Sequence, residues 1–474
     1  MGRSPVNRLP GEVLLEVFDY YRQSFDNQYD DQWRNKYSWF NLAHVCRRWR
    51  AVVFASNSRL DINIVVGPEK PGHIKTILSG HLPILIDYSS PIYGPTREIT
   101  GSALWRMRAA LRHRDRVREI SFGGWDVDFI ETFISATNYP FPALESLVLC
   151  FPNGQGPDIP IPATFLRGQD QSDLPLRRLR LHGGSLTSVS GLLLSATALT
   201  DLIINQPSTT GGFESSTLQE SILACLQGMQ SLCSLDLTIP NHLSDSEFHP
   251  TLVPLLKLTR FHYCGPTVFL NNLMSGLSAP SLQDARFELH IRSRFLHISR
   301  VIDDVREEFR SISVTFDMDW FRFVSSTQPG EINHSKLSFR FNMNCFPHSI
   351  TAINSTPSTK FAMAEELALH LPPLRTTIWE HVFSLREFLR QFRSVRVLRV
   401  SPLSFVQRVG LLLQQADGEA ILPLLEEIEI SDGEDSEYRR RAAEAMAALK
   451  PSCERTGRLV KVYHGGLNAI GRCQ

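Results

Sequence analysis

One short apolar phrase recurs along the chain from about residue 112 onward. An apolar residue is followed by two others, an apolar, one other and a final apolar. Copies are Val117-Arg118-Glu119-Ile120-Ser121-Phe122 and Leu144-Glu145-Ser146-Leu147-Val148-Leu149. Leu176 to Leu181, Leu199 to Ile204 and Leu232 to Leu237 repeat the pattern. Weaker copies span Leu258 to Tyr263, Leu282 to Leu289 and Ile312 to Phe316, and late ones Val395 to Val400, Leu425 to Ile430 and Leu459 to Tyr463. The closing alternation is that of a strand with one buried face. Apart from the wide gap between Ile312 and Val395, neighbouring copies start roughly 23 to 34 residues apart, near or above the ~20–29 residues of a leucine-rich repeat. No unit of that size buries its own apolar face, so the units must stack on one another.

Helical patterns lie between the phrases. Trp125 to Ile134 places Val127, Ile130, Phe133 and Ile134 on one face, and Ser216 to Met229 does the same with Leu218, Ile222, Cys225, Leu226 and Met229. Val268 to Leu277, Phe295 to Phe309, Trp379 to Phe392 and Ser404 to Ala416 are comparable. Glycine or proline marks the joints at Pro140, Pro142, Gly183, Gly184, Pro240, Pro280, Pro402 and Pro423. Strand, turn and helix in succession is the leucine-rich-repeat plan, here in degenerate copies with few asparagines. An ordinary α/β domain with several strand–helix units is the alternative. Before the phrases, Leu60 to Trp105 reads as a connector with strand-like runs at Ile62 to Val66 and Leu82 to Asp87, placed to cap the first repeat. The polar stretch Gln328 to Lys360 is expected to leave the array as loops, and Ser431 to Glu437 to be a solvated loop opening a helix over Tyr438 to Leu449.

The first fifty-odd residues follow different rules. Pro10 suits the first turn of a helix, and Glu12 suits the dipole there. Val13, Leu14, Val17, Phe18 and Tyr21 form a broad apolar stripe. Leu42, Val45, Cys46, Trp49, Val52 and Val53 follow at helical spacing, punctuated by Arg47, Arg48 and Arg50. So small a unit has more apolar surface than it can bury alone. An ordinary helical hairpin packed on its own domain is the plain reading.

The pattern of Leu9, Pro10, Glu12, Val13, Leu14, Val17 and Phe18, followed by Val45, Cys46, Arg48 and Trp49, resembles an F-box. The polar, aromatic segment Gln23 to Ser38 is longer than is usual there. Together with Asp19-Tyr20-Tyr21-Arg22 and Val52-Val53-Phe54-Ala55-Ser56, it resembles F-box proteins of mushroom-forming fungi. Leu111 to Arg118 and Gly457 to Val460 extend that resemblance to the fungal F-box/leucine-rich-repeat-like proteins. The expected fold class is therefore α/β: an N-terminal three-helix F-box-like module over 1–60 with an insertion at about 23–38, a connector or cap over 61–111, and an irregular leucine-rich-repeat-type solenoid of strand–helix repeats over 112–474.

Chemistry is sparse. Lysine plus arginine and aspartate plus glutamate number 49 each, so the formal net charge is zero and neither nucleic acid nor an anionic membrane is the expected partner. No window approaches the ~18 apolar residues of a membrane span. The start lacks a signal-peptide core, and Val6 breaks the myristoylation pattern. The eight cysteines, mostly single in apolar runs, suit a reducing cytoplasmic or nuclear setting. There is no phosphate loop, His-Glu-x-x-His, paired Cys-x-x-Cys or Gly-x-Ser-x-Gly. His262 and Cys264 share a strand face but are two ligands, not a site; Asp317 and Asp319 read as a solvated edge. The arginine-rich run Arg106 to Arg118, interleaved with Met107, Leu111 and Val117, reads as an amphipathic helix with a basic outer face.

The resemblance implies a non-catalytic substrate receptor of a Skp–cullin–F-box ubiquitin ligase. A Skp-type adaptor would dock on Leu9, Pro10, Glu12, Val13, Leu14, Val17, Phe18, Val45, Cys46 and Trp49, and an unknown protein substrate on the repeats. No cofactor, metal or catalytic residue is expected. A repeat-based scaffold without a ligase role and, less favoured, an α/β enzyme are the alternatives.

Overall fold

The computed structural model describes residues 9–26, 38–56, 60, 63–68, 81–89, 100–123, 127–151, 161–162, 164–167, 174–183, 186–206, 215–239, 252–282, 284–290, 309–317, 322–326, 335–342, 359–370, 382–401, 421–432 and 459–464. The chain forms two compact units, 1–184 with 191–198, and 185–190 with 199–474.

The first unit opens with three helices, α1 (Gly11–Asp26), α2 (Ser38–Val45) and α3 (Arg47–Ala55). It continues with β1 (Ile64–Val66), β2 (Ile84–Ser89), α4 (Gly101–Leu111), β3 (Val117–Gly123), α5 (Val127–Ala136), β4 (Ser146–Cys150) and β5 (Arg178–His182). Strands β1 to β5 pair parallel in chain order. The two strand-like runs of the connector are thus members of the sheet. The phrase explains the register: Ile120, Leu147 and Leu179 share one rung, and Phe122, Leu149 and Leu181 another. All six are buried. Helix α5 covers that face, with Phe122 stacked on Phe133 at 4.3 Å and on Phe129 at 5.0 Å. At the far end Gly183 takes φ +73, and a Cβ there would meet the Phe151 carbonyl oxygen at 2.8 Å, so glycine is required.

Arg106 to Arg118 is not one helix. Helix α4 ends at Leu111, residues 112–116 turn, and Val117 already begins β3. Met107, Leu111 and Val117 are buried as the pattern requires, whereas Trp105 is half exposed. Arg116 holds the turn by donating from Nε and Nη2 to the Leu82 carbonyl at 3.0 and 2.7 Å.

Helix α6 (Leu186–Ser195) spans the division between the units. The second unit then runs β6 (Asp201–Asn205), α7 (Ser215–Gln227), β7 (Ser234–Thr238), β8 (Val253–Pro254), β9 (Arg260–Pro266), α8 (Thr267–Gly276), β10 (Leu277–Ser278) and β11 (Asp284–His290). It continues with β12 (Phe309–Asp317), β13 (Arg322–Ser326), β14 (Ser335–Asn342), α9 (Thr359–Met363), β15 (Glu366–His370), α10 (Val382–Leu389), β16 (Val397–Ser401), β17 (Glu427–Asp432) and β18 (Leu459–His464). Strands β6, β7, β9 and β11 are parallel neighbours, as are β12, β15, β16, β17 and β18. Between these runs the order is β11-β13-β14-β12, and β13 is antiparallel to both its neighbours. The stretch Gln328 to Lys360, expected as loops, therefore contributes a strand, β14. Its Lys336-Leu337-Ser338-Phe339 run pairs parallel with Ser311 to Val314 of β12, after a register shift between Phe309 and Ser311. The expected helices over 295–309 and 404–416, and that over 438–449, fall outside the described residues except Phe309, which is in β12.

Candidate functional site

The N-terminal module is built around a small apolar core. Leu14, Phe18, Leu42, Ala43, Val53 and Leu60 are buried together, with Leu9, Leu15, Tyr21, Trp49, Val52 and Leu82 packed against them. The Phe18 and Trp49 rings meet at 4.8 Å with a 60° tilt. The apparently continuous stripe from Leu42 to Val53 is two helices broken at Cys46. That residue is extended, with φ −160 and ψ 169, and its Sγ accepts a hydrogen bond from the Trp49 N–H at 3.4 Å. The break turns α3 so that Trp49 and Val53 reach α1. Two arginines lock the corners: the Arg48 guanidinium donates to the Leu9 carbonyl, and Arg50 Nε donates to the Ala43 carbonyl at 3.0 Å. Asn41 Nδ2 donates to the Tyr21 hydroxyl at 3.3 Å, tying α2 to α1.

Helix α1 carries two apolar stripes side by side. Leu14 and Phe18 face inward with no exposed surface, and half-buried Tyr21 continues that line. Val13, Val17 and Tyr20 face outward, 42%, 46% and 77% exposed, at the i, i+4, i+7 spacing of one helix face. The candidate residues divide accordingly. Pro10, Glu12, Val13, Val17 and Val45 are exposed; Leu9, Cys46 and Trp49 are half-buried; Leu14 and Phe18 belong to the module's own core. Tyr20 and the exposed Phe54 were not among the sequence candidates. The spacing from Val13 and Val17 is the signal that finds Tyr20. Of the insertion, Gln23 to Asp26 lengthens α1 and Ser38 opens α2; residues 27–37 lie outside the described set.

Other sequence candidates separate. His262 Nδ1 and Asp236 Oδ1 approach to 2.9 Å across β9 and β7, so His262 has a carboxylate partner. Cys264 lies two residues on. Among the described residues, no three His, Cys, Asp or Glu side chains come together as metal ligands, and no helix is long and apolar enough to cross a membrane. Asp317 ends β12, and Asp319 lies outside the described residues. Burial pushes the thiols of Cys150 and Cys225 up to about 11, so both are held as neutral thiols.

Residues 6–58 match the F-box-like family model. The matched stretch takes in all of α1, α2 and α3. The chain thus carries an F-box-like domain at its N-terminal module, which supports an F-box protein and suggests a role in binding the adaptor of Skp–cullin–F-box ligases. No curated protein matches the chain.

Proposed function

We propose that this protein is a substrate-recognition subunit of a Skp–cullin–F-box ubiquitin ligase. The Skp-type adaptor docks on the outward stripe of α1, with Val13, Val17 and Tyr20 at its centre and Pro10, Glu12 and Val45 around it. The observation that carries this reading is the coincidence of an F-box-like match with a module that leaves Val13, Val17, Tyr20, Val45 and Phe54 exposed beside its own core. Each valine keeps nearly half of its surface for a partner, so its burial contributes about 1 kcal/mol, half the value for a fully buried aliphatic side chain. Leu14, Phe18, Cys46, Arg48 and Trp49 act by holding the shape of that surface.

The rest of the chain is the receptor. Residues 61–111 lead from the module into an irregular leucine-rich-repeat-like array over 112–474, of the kind met in fungal F-box proteins. Parallel strands each spelled by the same apolar phrase support that reading. The array holds a protein target in the cytoplasm or nucleus, while partner proteins transfer ubiquitin. The contribution to rate is proximity, because two held reactants behave as one molecule. The test is co-purification of the full chain with a recombinant Skp-type adaptor. A stable one-to-one complex is expected. No complex, under conditions in which an established F-box protein captures the same adaptor, contradicts the proposal.

A further inference from the structure

Strand β5 carries Arg178 and Arg180 on the face opposite Leu179 and Leu181. The leucines are buried against the helical side, and both arginines are exposed. The same face of β4 presents Ser146, Val148 and Cys150, short and uncharged, so the guanidinium groups stand above their neighbours. A second basic line runs along the entry ends of the strands. The Arg177 and Arg178 N–H groups both donate to the Glu145 carbonyl at 2.9 Å, and the Glu145 N–H donates to the Arg118 carbonyl at 2.8 Å. Arg118, Glu145 and Arg177 therefore stand at one level across successive strands, and both arginines are exposed. Arg112 and Arg114 are exposed in the turn that leads into β3, where Arg114 lies over the Tyr139 ring at 5.3 Å. Among the described residues of the first unit, Asp115, Glu119 and Glu145 are the carboxylates in these strands and the turns leading into them, fewer than Arg112, Arg114, Arg118, Arg177, Arg178 and Arg180.

We infer that this part of the first unit, centred on Arg178 and Arg180, is a docking surface for an acidic polypeptide segment. The inference concerns what the body of the chain holds and does not depend on the adaptor reading. Alternate residues on β5 lie ~6.8 Å apart, and so do alternate side chains of an extended peptide, so two carboxylates at i and i+2 can meet Arg178 and Arg180 together. Arg118 is two strands from Arg177, ~10 Å away, near the screening length at physiological salt, so these two arginines add to one positive field at the entry ends of the strands. A nucleic-acid strand fits less well. The interspersed Glu119 and Glu145 oppose a backbone that carries a phosphate at every step, whereas the carboxylates of a peptide can be spaced to meet the arginines alone.

The test is fluorescence anisotropy of a labelled twelve-residue peptide with glutamate at alternate positions in a glycine–serine background, titrated with the full chain. Saturable binding that weakens with salt is expected. R178E/R180E should bind it about tenfold more weakly and should capture the matching lysine peptide, which the wild type does not. R178Q/R180Q, which adds no charge, should lose affinity while keeping the wild-type unfolding temperature. Equal binding of the acidic peptide by wild type and R178Q/R180Q overturns the inference. So does tighter binding of an oligothymidine of equal charge, or displacement of the peptide by phosphatidylserine vesicles and not by unlabelled acidic peptide.

Discussion

Phe18→Ala separates the module's core from its surface. Phe18 has no exposed area and lies against Trp49 at 4.8 Å. Removing a fully buried phenylalanine costs about 3–5 kcal/mol, cavity included, and the lost ring contact is part of that figure. A folded segment of fifty residues holds on the order of 2.5–7.5 kcal/mol in all at typical stability per residue. The substitution therefore takes away most of what keeps α1, α2 and α3 together, while β3 and β4 rest on Phe122, Phe133 and Leu147 instead. Native-state hydrogen exchange of the full chain reads both regions at once. Protection should fall by at least a hundredfold over Gly11–Asp26 and Arg47–Ala55 and stay unchanged over Val117–Gly123 and Ser146–Cys150. Unchanged protection in α1 would refute the placement of Phe18 in the core. Joint loss in β3 and β4 would show that the module and the first strands unfold as one.

Three further outcomes follow from the packing. Gly123→Ala places a Cβ 2.2 Å from the Cβ of Cys150 and 3.0 Å from its carbonyl oxygen, so it should destabilise the first unit by about 1–3 kcal/mol in urea unfolding, with part of the loss restored by Cys150→Gly. Burial raises the Cys150 and Cys225 thiols from 9.0 to about 11 and the Tyr88 hydroxyl from 10.0 to about 12. The unfolded chain releases these protons first, so their contribution to stability is intact below pH 9 and should drain away between pH 9 and 12, measured as a falling unfolding midpoint. Arg399 donates to Glu429 at 2.5 Å and to Glu366 at 2.9 Å, bridging three strands. Being partly exposed, it should cost only about 1 kcal/mol when changed to glutamine, with a double-mutant cycle against Glu429→Gln showing the coupling.

The strands were legible because the phrase writes their inward rungs directly. Ile120, Leu147 and Leu179 stand at the same place in three copies and meet in one rung. Helix α5 was legible from Val127, Ile130, Phe133 and Ile134. What escaped has physical causes. A cysteine within an apolar helical run gives no warning that its thiol will cap the next helix, so Cys46 reads as part of the stripe. Arg322-Phe323-Val324-Ser325-Ser326 carries no copy of the phrase, because β13 runs antiparallel and belongs to a return of the chain. In α1 the apolar residues are adjacent in pairs, Val13 with Leu14 and Val17 with Phe18. A shift of one residue turns a side chain by ~100°, and only packing decides which member of each pair faces the core.

The most direct measurement is the affinity of a Skp-type adaptor for the full chain and for its Val13→Asp/Val17→Asp variant. The substitution removes about 2 kcal/mol of apolar burial and sets two carboxylates against an apolar partner, so the expected loss is a hundredfold or more. Because both residues are outward-facing, the unfolding temperature should be unchanged. Equal affinity of variant and wild type would contradict the account, as would loss of the module's fold in the variant.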